Sequence, residues 1–209
     1  DKPRAVELSR PLADALVARY REHSTPGWHW FLPDMTYANA KLPEGLFRAY
    51  LTTGETSYLD IARESFDFLC SKAIRDGVLS LVGNHGWFQS GEEFPPLYDQ
   101  QPIDAAAMVQ AAIAAYDASN EADYLHIARL SLDWFFGRNL CNESLYDPET
   151  HGCFDALIQS GVNQNRGAES TICMLLAHLL IVQTLRHLQT EKALPPNAPE
   201  IEALRPKKS

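Results

Sequence analysis

Positive charge is scarce in this sequence. Its 209 residues carry 18 lysines and arginines against 27 aspartates and glutamates, which gives a formal net charge of -9. The only cluster of basic residues is Arg205-Pro206-Lys207-Lys208, near the end of the chain. Because neutralising a phosphate backbone requires a basic face, nonspecific nucleic-acid binding is not expected, and a neutral or cationic partner fits the charge better.

Long apolar runs are also missing. The longest one, Ile172 to Val182, is about half a bilayer span and is interrupted by His178, so no membrane helix is predicted. No signal peptide, phosphate-binding glycine loop, dinucleotide fingerprint or kinase signature is visible. With 45% hydrophobic and 22% charged residues, the sequence is instead typical of a globular chain that is long enough to bury a core.

The cysteines lack the close paired spacing of a zinc knuckle or a redox Cys-x-x-Cys motif. They are Cys70, Cys141, Cys153 and Cys173. We therefore expect four reduced thiols and a cytoplasmic protein. His85 and His151 each precede a glycine, but neither has the further ligands that a metal needs, so no metal and no cofactor are predicted.

An internal repeat dominates what is present. Residues 58–68, with the sequence YLDIARESFDF, return 66 positions later as YLHIARLSLDW at residues 124–134. At the same offset, residues 49–50 return at 115–116, and the sequence HGWF of residues 85–88 returns as HGCF at 151–154. Because self-similarity reports architecture more directly than local propensity, one structural unit of about 66 residues is used at least twice.

Each unit is predicted to be a helical hairpin followed by a long loop. The expected helices run from about 4 to 22, from Tyr37 to Thr53, from 56 to about 74, from Pro102 to Ala118, from Glu121 to Gly137, and from Gly167 to about Leu188. The first helix of each unit is the more apolar one, and helices that are apolar on all faces are buried. We therefore predict an all-α fold of alternating inner and outer helices over residues 1–190, with a proline-rich tail at 191–209.

The long loops should gather at the end of the array where the inner helices begin. Asp104 and Glu169 occupy equivalent places in the first turns of two inner helices, and the first copy of the repeat has Ala38 there. Two carboxylates that share a cavity suit glycoside chemistry, in which one acid donates a proton and the other acts as base or nucleophile. Five aromatic residues are predicted to ring this cavity: Trp28, Trp30, Tyr37, Trp87 and Tyr98.

A structural interpretation of the same residues stays open. An acid in the first turn of a helix stabilises the helix terminus by about 0.3 to 1 kcal/mol without any other role. The tryptophans are equally well explained by core packing.

Four segments resemble the final half of six-hairpin glycosidase-like domains, which occur alone or fused behind bacterial glycosyltransferases. These segments are TYANAKLPE at 36–44, DQQPIDA at 99–105, LYDPETHGCFD at 145–155 and GVNQNRGAEST at 161–171. The resemblance implies an (α/α)6 toroid with a carbohydrate-handling cavity at one end of its inner helices. It also points to candidate sugar contacts at Tyr37, Asn39, Trp87, Asn163, Asn165 and Arg166.

This sequence departs from the family pattern in two ways. The pattern has aspartate where this chain has Ala38, and a full toroid needs about twelve helices where this chain supplies about six. We therefore expect the chain to pair with a missing N-terminal half or with another copy of itself.

Three functions remain open. The leading hypothesis is a glycoside hydrolase-like protein that acts on an oligosaccharide through Asp104 and Glu169. The alternatives are a noncatalytic carbohydrate-binding or structural module associated with a glycosyltransferase, and a helical-repeat scaffold that binds protein partners.

Overall fold

The structure is a computed structural model that describes residues 2–193. Its helices are α1 Lys2–His23, α2 Lys41–Thr53, α3 Thr56–Ala73, α4 Pro102–Ser119, α5 Ala122–Asp133 and α6 Ala168–Ala193. Short antiparallel ribbons lie in the long loops. They pair β1 Asp34–Met35 with β4 Phe88–Gln89, β2 Ile74–Arg75 with β3 Val78–Leu79, and β5 Leu157–Ile158 with β6 Gly161–Val162.

The helices form an inner row of α2, α4 and α6 and an outer row of α1, α3 and α5. Helix α4 packs against α2 on one side and α6 on the other, while α1 and α3 pack on α2 and α5 packs on α4. Helix α4 is buried on nearly every face, and its many alanines allow both inner neighbours to approach closely. The predicted all-α array of alternating inner and outer helices is confirmed.

Both complete hairpins turn in the same way. Gly54 (φ 75°) and Asn120 (φ 59°) lie at equivalent positions of the repeat, and each donates its N–H to a tyrosine carbonyl four residues earlier, at Tyr50 and Tyr116. Glycine and asparagine adopt this left-handed conformation at the lowest cost. These tight turns close the hairpins at the end of the array opposite the long loops.

Equivalent tyrosines tie the outer helices together. The Tyr58 hydroxyl donates to Asp14 Oδ1 on α1 at 2.6 Å, and the Tyr124 hydroxyl donates to Asp67 Oδ1 on α3 at 3.2 Å. Burial raises the pKa of Tyr124 to about 12, so its hydroxyl keeps its proton. Helices α3 and α5 are thus each hydrogen-bonded to the outer helix before them.

The start of α2 differs from the prediction. The helix begins at Lys41 rather than at Tyr37, because Ala38 has a φ of 50°, in the left-handed region that interrupts a right-handed helix. The Asn39 side chain also accepts the Thr36 N–H at 3.0 Å and donates to the Thr36 carbonyl at 3.2 Å. This local turn replaces the first helical turn. Ala38 therefore does not lie in a first helical turn as Asp104 does.

Other boundaries shift less. Helix α1 continues through Pro11, and α5 ends at Asp133 instead of near Gly137. Helix α6 extends to Ala193, beyond the predicted start of the proline-rich tail. The rest of that predicted tail, residues 194–209, lies outside the described residues.

Two of the predicted cavity aromatics belong to the core. Trp28 packs against Phe68 and Phe88, with ring centroids 5.4 and 5.3 Å away, and its indole N–H donates to the Leu32 carbonyl at 2.8 Å. Trp30 is fully buried beside Phe31. The prediction that these two tryptophans line a cavity is wrong, because the loop that carries them folds over the outer helices and buries their rings.

Helix α6 is apolar but has neighbours on only part of its surface. It packs on α4 and, less extensively, on α5. Its stretch Ala168–Thr190 is long and apolar enough to cross a membrane by length and composition, and 22% of that stretch is buried. The core helix of a soluble protein meets the same criterion. The short apolar run in the sequence thus understates how apolar the complete helix is.

Candidate functional site

A cavity of about 190 Å³ lies where α4 and α6 begin. It is lined by Gln101, Pro102, Asp155, Gly167, Glu169 and Ser170. Glu169 stands in the first turn of α6, where the positive end of the helix dipole favours a charged carboxylate. The side chain of Glu169 is exposed and forms no hydrogen bond or ion pair with the described residues. This candidate cavity therefore contains a carboxylate that is open to a ligand.

Asp155 anchors the wall of the candidate cavity. Its Oδ1 accepts the Gly167 N–H and the Ser170 hydroxyl, both at 2.6 Å, and its Oδ2 accepts the Asn165 side-chain amide. Desolvation raises the pKa of Asp155, but the hydrogen bonds from Ser170, Gly167 and Asn165 outweigh it and hold the pKa below its usual range. Asp155 is thus a charged carboxylate that caps the start of α6.

The close approach of Asp155 requires a glycine at position 167. A Cβ atom built on Gly167 would lie 2.8 Å from Asp155 Oδ1 and 3.2 Å from Oδ2. Sequence reasoning missed Asp155 as a site residue. The signal available was the run Asn165-Arg166-Gly167, which leads into a helix without a capping side chain of its own and therefore needs an acceptor from elsewhere.

Asp104 lies in the first turn of α4 but is 4% exposed. The Ala38 backbone N–H donates to its Oδ1 at 2.5 Å, while Oδ2 is buried without a hydrogen-bond partner. Desolvation raises the pKa of Asp104 to about 7, although the backbone N–H groups of Ala38 and Asn39 oppose that shift. Asp104 therefore combines a capping contact with the protonation behaviour of a buried acid.

Asp104 lines a separate, water-sized space. That space has a volume of about 10 Å³ and is lined by Asn39, Ala40, Leu69, Ala73, Leu81, Val82, Asp104 and Met108. Asp104 does not line the candidate cavity, whereas Glu169 does. The structure therefore places the two predicted acids at the same end of the inner row but does not bring both into one open cavity.

Of the predicted sugar contacts in the loops before α2 and α4, two are exposed and one is buried. Tyr37 is 60% exposed and Trp87 is 48% exposed, so both rings are available to a ligand. Asn39 is buried, and its amide is occupied by both backbone polar groups of Thr36. The backbone φ of Trp87 is 51°, in the left-handed region, so the loop turns sharply at this residue.

Asn163 and Asn165 are exposed and shape the loop beside the candidate cavity. Asn163 Oδ1 accepts the Asn165 N–H at 2.9 Å. The Asp155 N–H donates to the Asn165 carbonyl at 3.0 Å, in addition to the side-chain contact between these two residues. Asn165 therefore supports Asp155, and the Oδ1 of Asn163 in turn supports the backbone at Asn165.

Arg166 is engaged by an ion pair and an aromatic ring. Its Nε lies 2.7 Å from Asp147 Oδ2, and its guanidinium lies 4.6 Å from the centroid of the Phe154 ring. Hydrogen bonds from the Thr150 hydroxyl and the Glu149 N–H, together with Arg166, hold the pKa of Asp147 below its usual range. Arg166 therefore joins two parts of the loop before α6.

A second depression, of about 460 Å³, is formed by two chain segments that also contribute to the candidate cavity, at residues 98–102 and 155–160. It is lined by His85, Tyr98, Asp99, Ile158, Gln159 and Ser160. Gln100 and Leu157 exchange backbone hydrogen bonds of 3.0 and 2.8 Å between the residues that line the two cavities. Within residues 2–193, no group of three or more histidine, cysteine, aspartate or glutamate side chains is placed to hold a metal ion.

Comparison with known proteins identifies the architecture. The chain is similar in structure to the glycoside hydrolase family 76 mannosidase Bt3792 from Bacteroides thetaiotaomicron VPI-5482, with a TM-score of 0.58, 15% sequence identity and coverage of 78% of this chain. The fold is an α/α toroid. This chain covers 44% of the mannosidase, so it corresponds to less than half of that toroid's length. No family model matches the sequence, and no curated protein matches it.

Proposed function

We propose that this chain is part of a carbohydrate-active, glycoside hydrolase-like toroid that binds a sugar in the candidate cavity. The observation that carries the proposal is the position of Glu169 and Asp155, whose carboxylates both line one open cavity where two inner helices begin. The similar toroid is a mannosidase, which makes a mannose-containing oligosaccharide the first ligand to test.

Glu169 is the residue that we propose contacts the sugar directly. It is exposed and stands in the first turn of α6, so its carboxyl group can reach a ligand as a base or nucleophile must. Asp155 is held by three donors, so its charge serves to position the loop and to orient a sugar hydroxyl rather than to give up a proton. Tyr37 and Trp87 offer exposed rings on which a sugar can stack.

The catalytic role of Asp104 stays a prediction. A pKa of about 7 suits a proton donor at neutral pH. Its burial, however, keeps it from touching a ligand unless the 36–40 turn moves. Its bond to the Ala38 N–H favours a positioning role, in which Asp104 holds that turn beside α4.

Noncatalytic sugar binding is the second candidate. It is favoured because hydrolysis by two carboxylates needs a proton donor within about 5 to 10 Å of the base, and Asp104, whose pKa is raised by burial, does not line the candidate cavity. Under this proposal the toroid recognises a glycan that another domain acts on, and a glycosyltransferase is the proposed associate.

Binding and turnover measured separately test these proposals. The protein is titrated calorimetrically with mannose-containing and other oligosaccharides, and sugar release is assayed in parallel. We expect Glu169→Gln to weaken binding by at least about tenfold, or 1.4 kcal/mol, and Glu7→Gln on α1, at the far end of the array, to leave binding unchanged.

The outcome for Asp104→Asn separates the two candidates. If turnover occurs and this variant abolishes it without changing affinity, Asp104 is the proton donor. Binding without turnover in every variant identifies a binding module. Absence of any oligosaccharide response in the unsubstituted protein contradicts the proposed function.

A further inference from the structure

A depression of about 360 Å³ lies beside the end of the outer helix α3, next to the ribbon formed by β2 and β3. It is lined mainly by Ser71, Lys72, Arg75, Asp76, Glu93 and Phe94, and we call it the α3 depression. None of these residues lines the candidate cavity. Sites for small molecules have volumes of about 300 to 1,000 Å³, so this separate space is large enough to hold a small ligand.

Two cations line the α3 depression, and aromatic rings hold both of them in place. The Lys72 Nζ lies 5.4 Å from the centroid of the Phe68 ring and 5.8 Å from that of Phe88, and both rings belong to the core. The Arg75 guanidinium lies 5.3 Å from the centroid of the Phe94 ring. Within the described part of the chain, neither cation forms an ion pair or a side-chain hydrogen bond. Because a ring positions a cation without neutralising its charge, both cations keep their hydrogen-bond donors available for a ligand.

Asp76 and Glu93 line the same depression, yet neither forms an ion pair with its cations. Asp76 (φ 50°) and Gly77 (φ 74°) form the two-residue turn between β2 and β3, with the left-handed backbone that is typical of a tight hairpin. Glu93 follows a turn in which the Glu92 carboxylate accepts the Gln89 N–H at 2.8 Å. The backbone thus fixes the acids while the rings fix the cations, and the opposite charges stay unpaired.

This arrangement of charges selects a class of ligand. Two cations and two carboxylates leave no excess charge, and the carboxylates would repel a dianion such as phosphate. A ligand with one carboxylate and several hydroxyl groups suits both kinds of side chain. Arg75 and Lys72 can bind its carboxylate, and Asp76 and Glu93 can accept its hydroxyl protons. Phe94, which is 63% exposed, adds an apolar surface for the C–H groups of a sugar ring.

We propose that the α3 depression binds a uronic acid unit of an acidic glycan. The carboxylate of that unit lies between Lys72 and Arg75, and its hydroxyl groups donate to Asp76 and Glu93. This site is additional to the candidate cavity, and the proposal does not depend on sugar binding there.

The test is a nuclear magnetic resonance titration of the protein with glucuronate at low ionic strength. Glucose, inorganic phosphate and glycine are titrated in parallel as a neutral sugar, a dianion and a zwitterion. We expect glucuronate to bind at least about tenfold more tightly than any of the three, and Arg75→Gln and Lys72→Gln each to weaken it by at least about tenfold. Arg186→Gln is the matched control, because Arg186 is an exposed cation of α6 outside the α3 depression, and it should leave glucuronate binding unchanged.

The position of the shifted resonances keeps the proposal testable if a variant disturbs the β2–β3 ribbon. In the unsubstituted protein, glucuronate should shift the Ser71 and Arg75 amides and the Phe94 ring. An oligomer of glucuronate should shift the same resonances, which would assign the site to a polymer as well as to the free acid. Phosphate or glycine binding as tightly as glucuronate, or glucuronate shifts confined to other residues, would overturn the proposal. Absence of a glucuronate response overturns it even where a mannose-containing oligosaccharide binds the candidate cavity, so the two proposals fail separately.

Discussion

Ala38 and Asp104 are equivalent positions of the sequence repeat, and they contact each other directly. The Ala38 N–H of the first unit donates to the carboxylate of Asp104 in the second at 2.5 Å. The two copies of the repeat therefore differ at this position, and the difference links them. The acid of the second unit accepts a hydrogen bond from the left-handed backbone turn of the first. This contact leads to three of the predictions below.

Removing the Asp104 carboxylate should test its capping role. Asp104→Ala leaves the Ala38 N–H unpaired in a buried site, so we expect a loss of about 1 to 3 kcal/mol in the free energy of unfolding. Asp104→Asn keeps an oxygen that can accept the same N–H and should cost less than about 1 kcal/mol. Urea unfolding of the three proteins measures the difference, and equal losses for both variants would contradict a specific bond to Ala38.

Stability should depend on pH through Asp104. Because burial raises its folded-state pKa from the ordinary value to about 7, the folded protein holds this proton more tightly than the unfolded chain does. The associated stability is complete below about pH 4 and is lost as pH rises towards and through 7. Relative to Asp104→Asn, the unsubstituted protein should therefore lose stability between pH 4 and 7, and parallel pH profiles of the two proteins would show that the acid does not titrate in this window.

Position 38 should tolerate an amide better than an acid. Ala38→Asn suits the left-handed backbone and should change stability by less than about 1 kcal/mol in either direction. Ala38→Asp places a second carboxylate next to Asp104, so it should be less stable than Ala38→Asn, and the gap should grow above pH 7 as both acids ionise. Combining Ala38→Asp with Asp104→Asn should remove that pH-dependent gap; thermal unfolding at pH 5 and pH 8 provides the comparison.

Gly167→Ala should disrupt the start of α6. The new Cβ would lie 2.8 Å from Asp155 Oδ1, so the carboxylate must move away from the Gly167 and Ser170 donors. We expect a loss of about 1 to 3 kcal/mol. The matched control is Gly45→Ala in α2, whose Cβ would make an ordinary 3.5 Å contact with Leu16 and should be neutral or stabilising by up to about 1 kcal/mol. Similar effects at both glycines would contradict the steric account.

Trp87 should account for the solvent-sensitive fluorescence of the chain. The other three tryptophans are buried, whereas Trp87 is 48% exposed. Iodide should therefore quench a component that Trp87→Phe removes, and an oligosaccharide bound near this loop should protect that component. Quenching that persists in Trp87→Phe would indicate that a tryptophan assigned to the core is accessible.

The sequence repeat predicts most of the helical architecture because helix polarity and turn residues are set by neighbouring positions in the chain. The apolar first helix and charged second helix of each unit fix which helices lie inside, and Gly54 and Asn120 punctuate equivalent hairpins. The start of α2 was predicted wrongly because helical pattern says nothing about a φ of 50° at Ala38, which depends on the Asn39 turn and on Asp104 across the row.

The candidate site is less predictable because it is assembled from long-range contacts. The first-turn positions of Asp104 and Glu169 were predicted, but the burial of one and the exposure of the other depend on how the 36–40 turn covers α4. Trp28 and Trp87 are both loop aromatics in the sequence, and only the fold decides that one enters the core and the other reaches solvent. Asp155 acquires its role solely from three donors that lie 10 to 15 residues later.

The tight left-handed turns at Gly54 and Asn120 also bear on how such a protein can diverge. An insertion there would separate two helices that the turn holds in contact, whereas the loops at the opposite end already differ between the units without disturbing the helices. Sequence changes can accumulate in the long loops at one end of the array, while the tight turns at the other end keep the paired helices in contact. After a duplication, one unit could therefore keep a buried acid in the first turn of its inner helix while its sister lost its own, which is the asymmetry seen between Asp104 and Ala38.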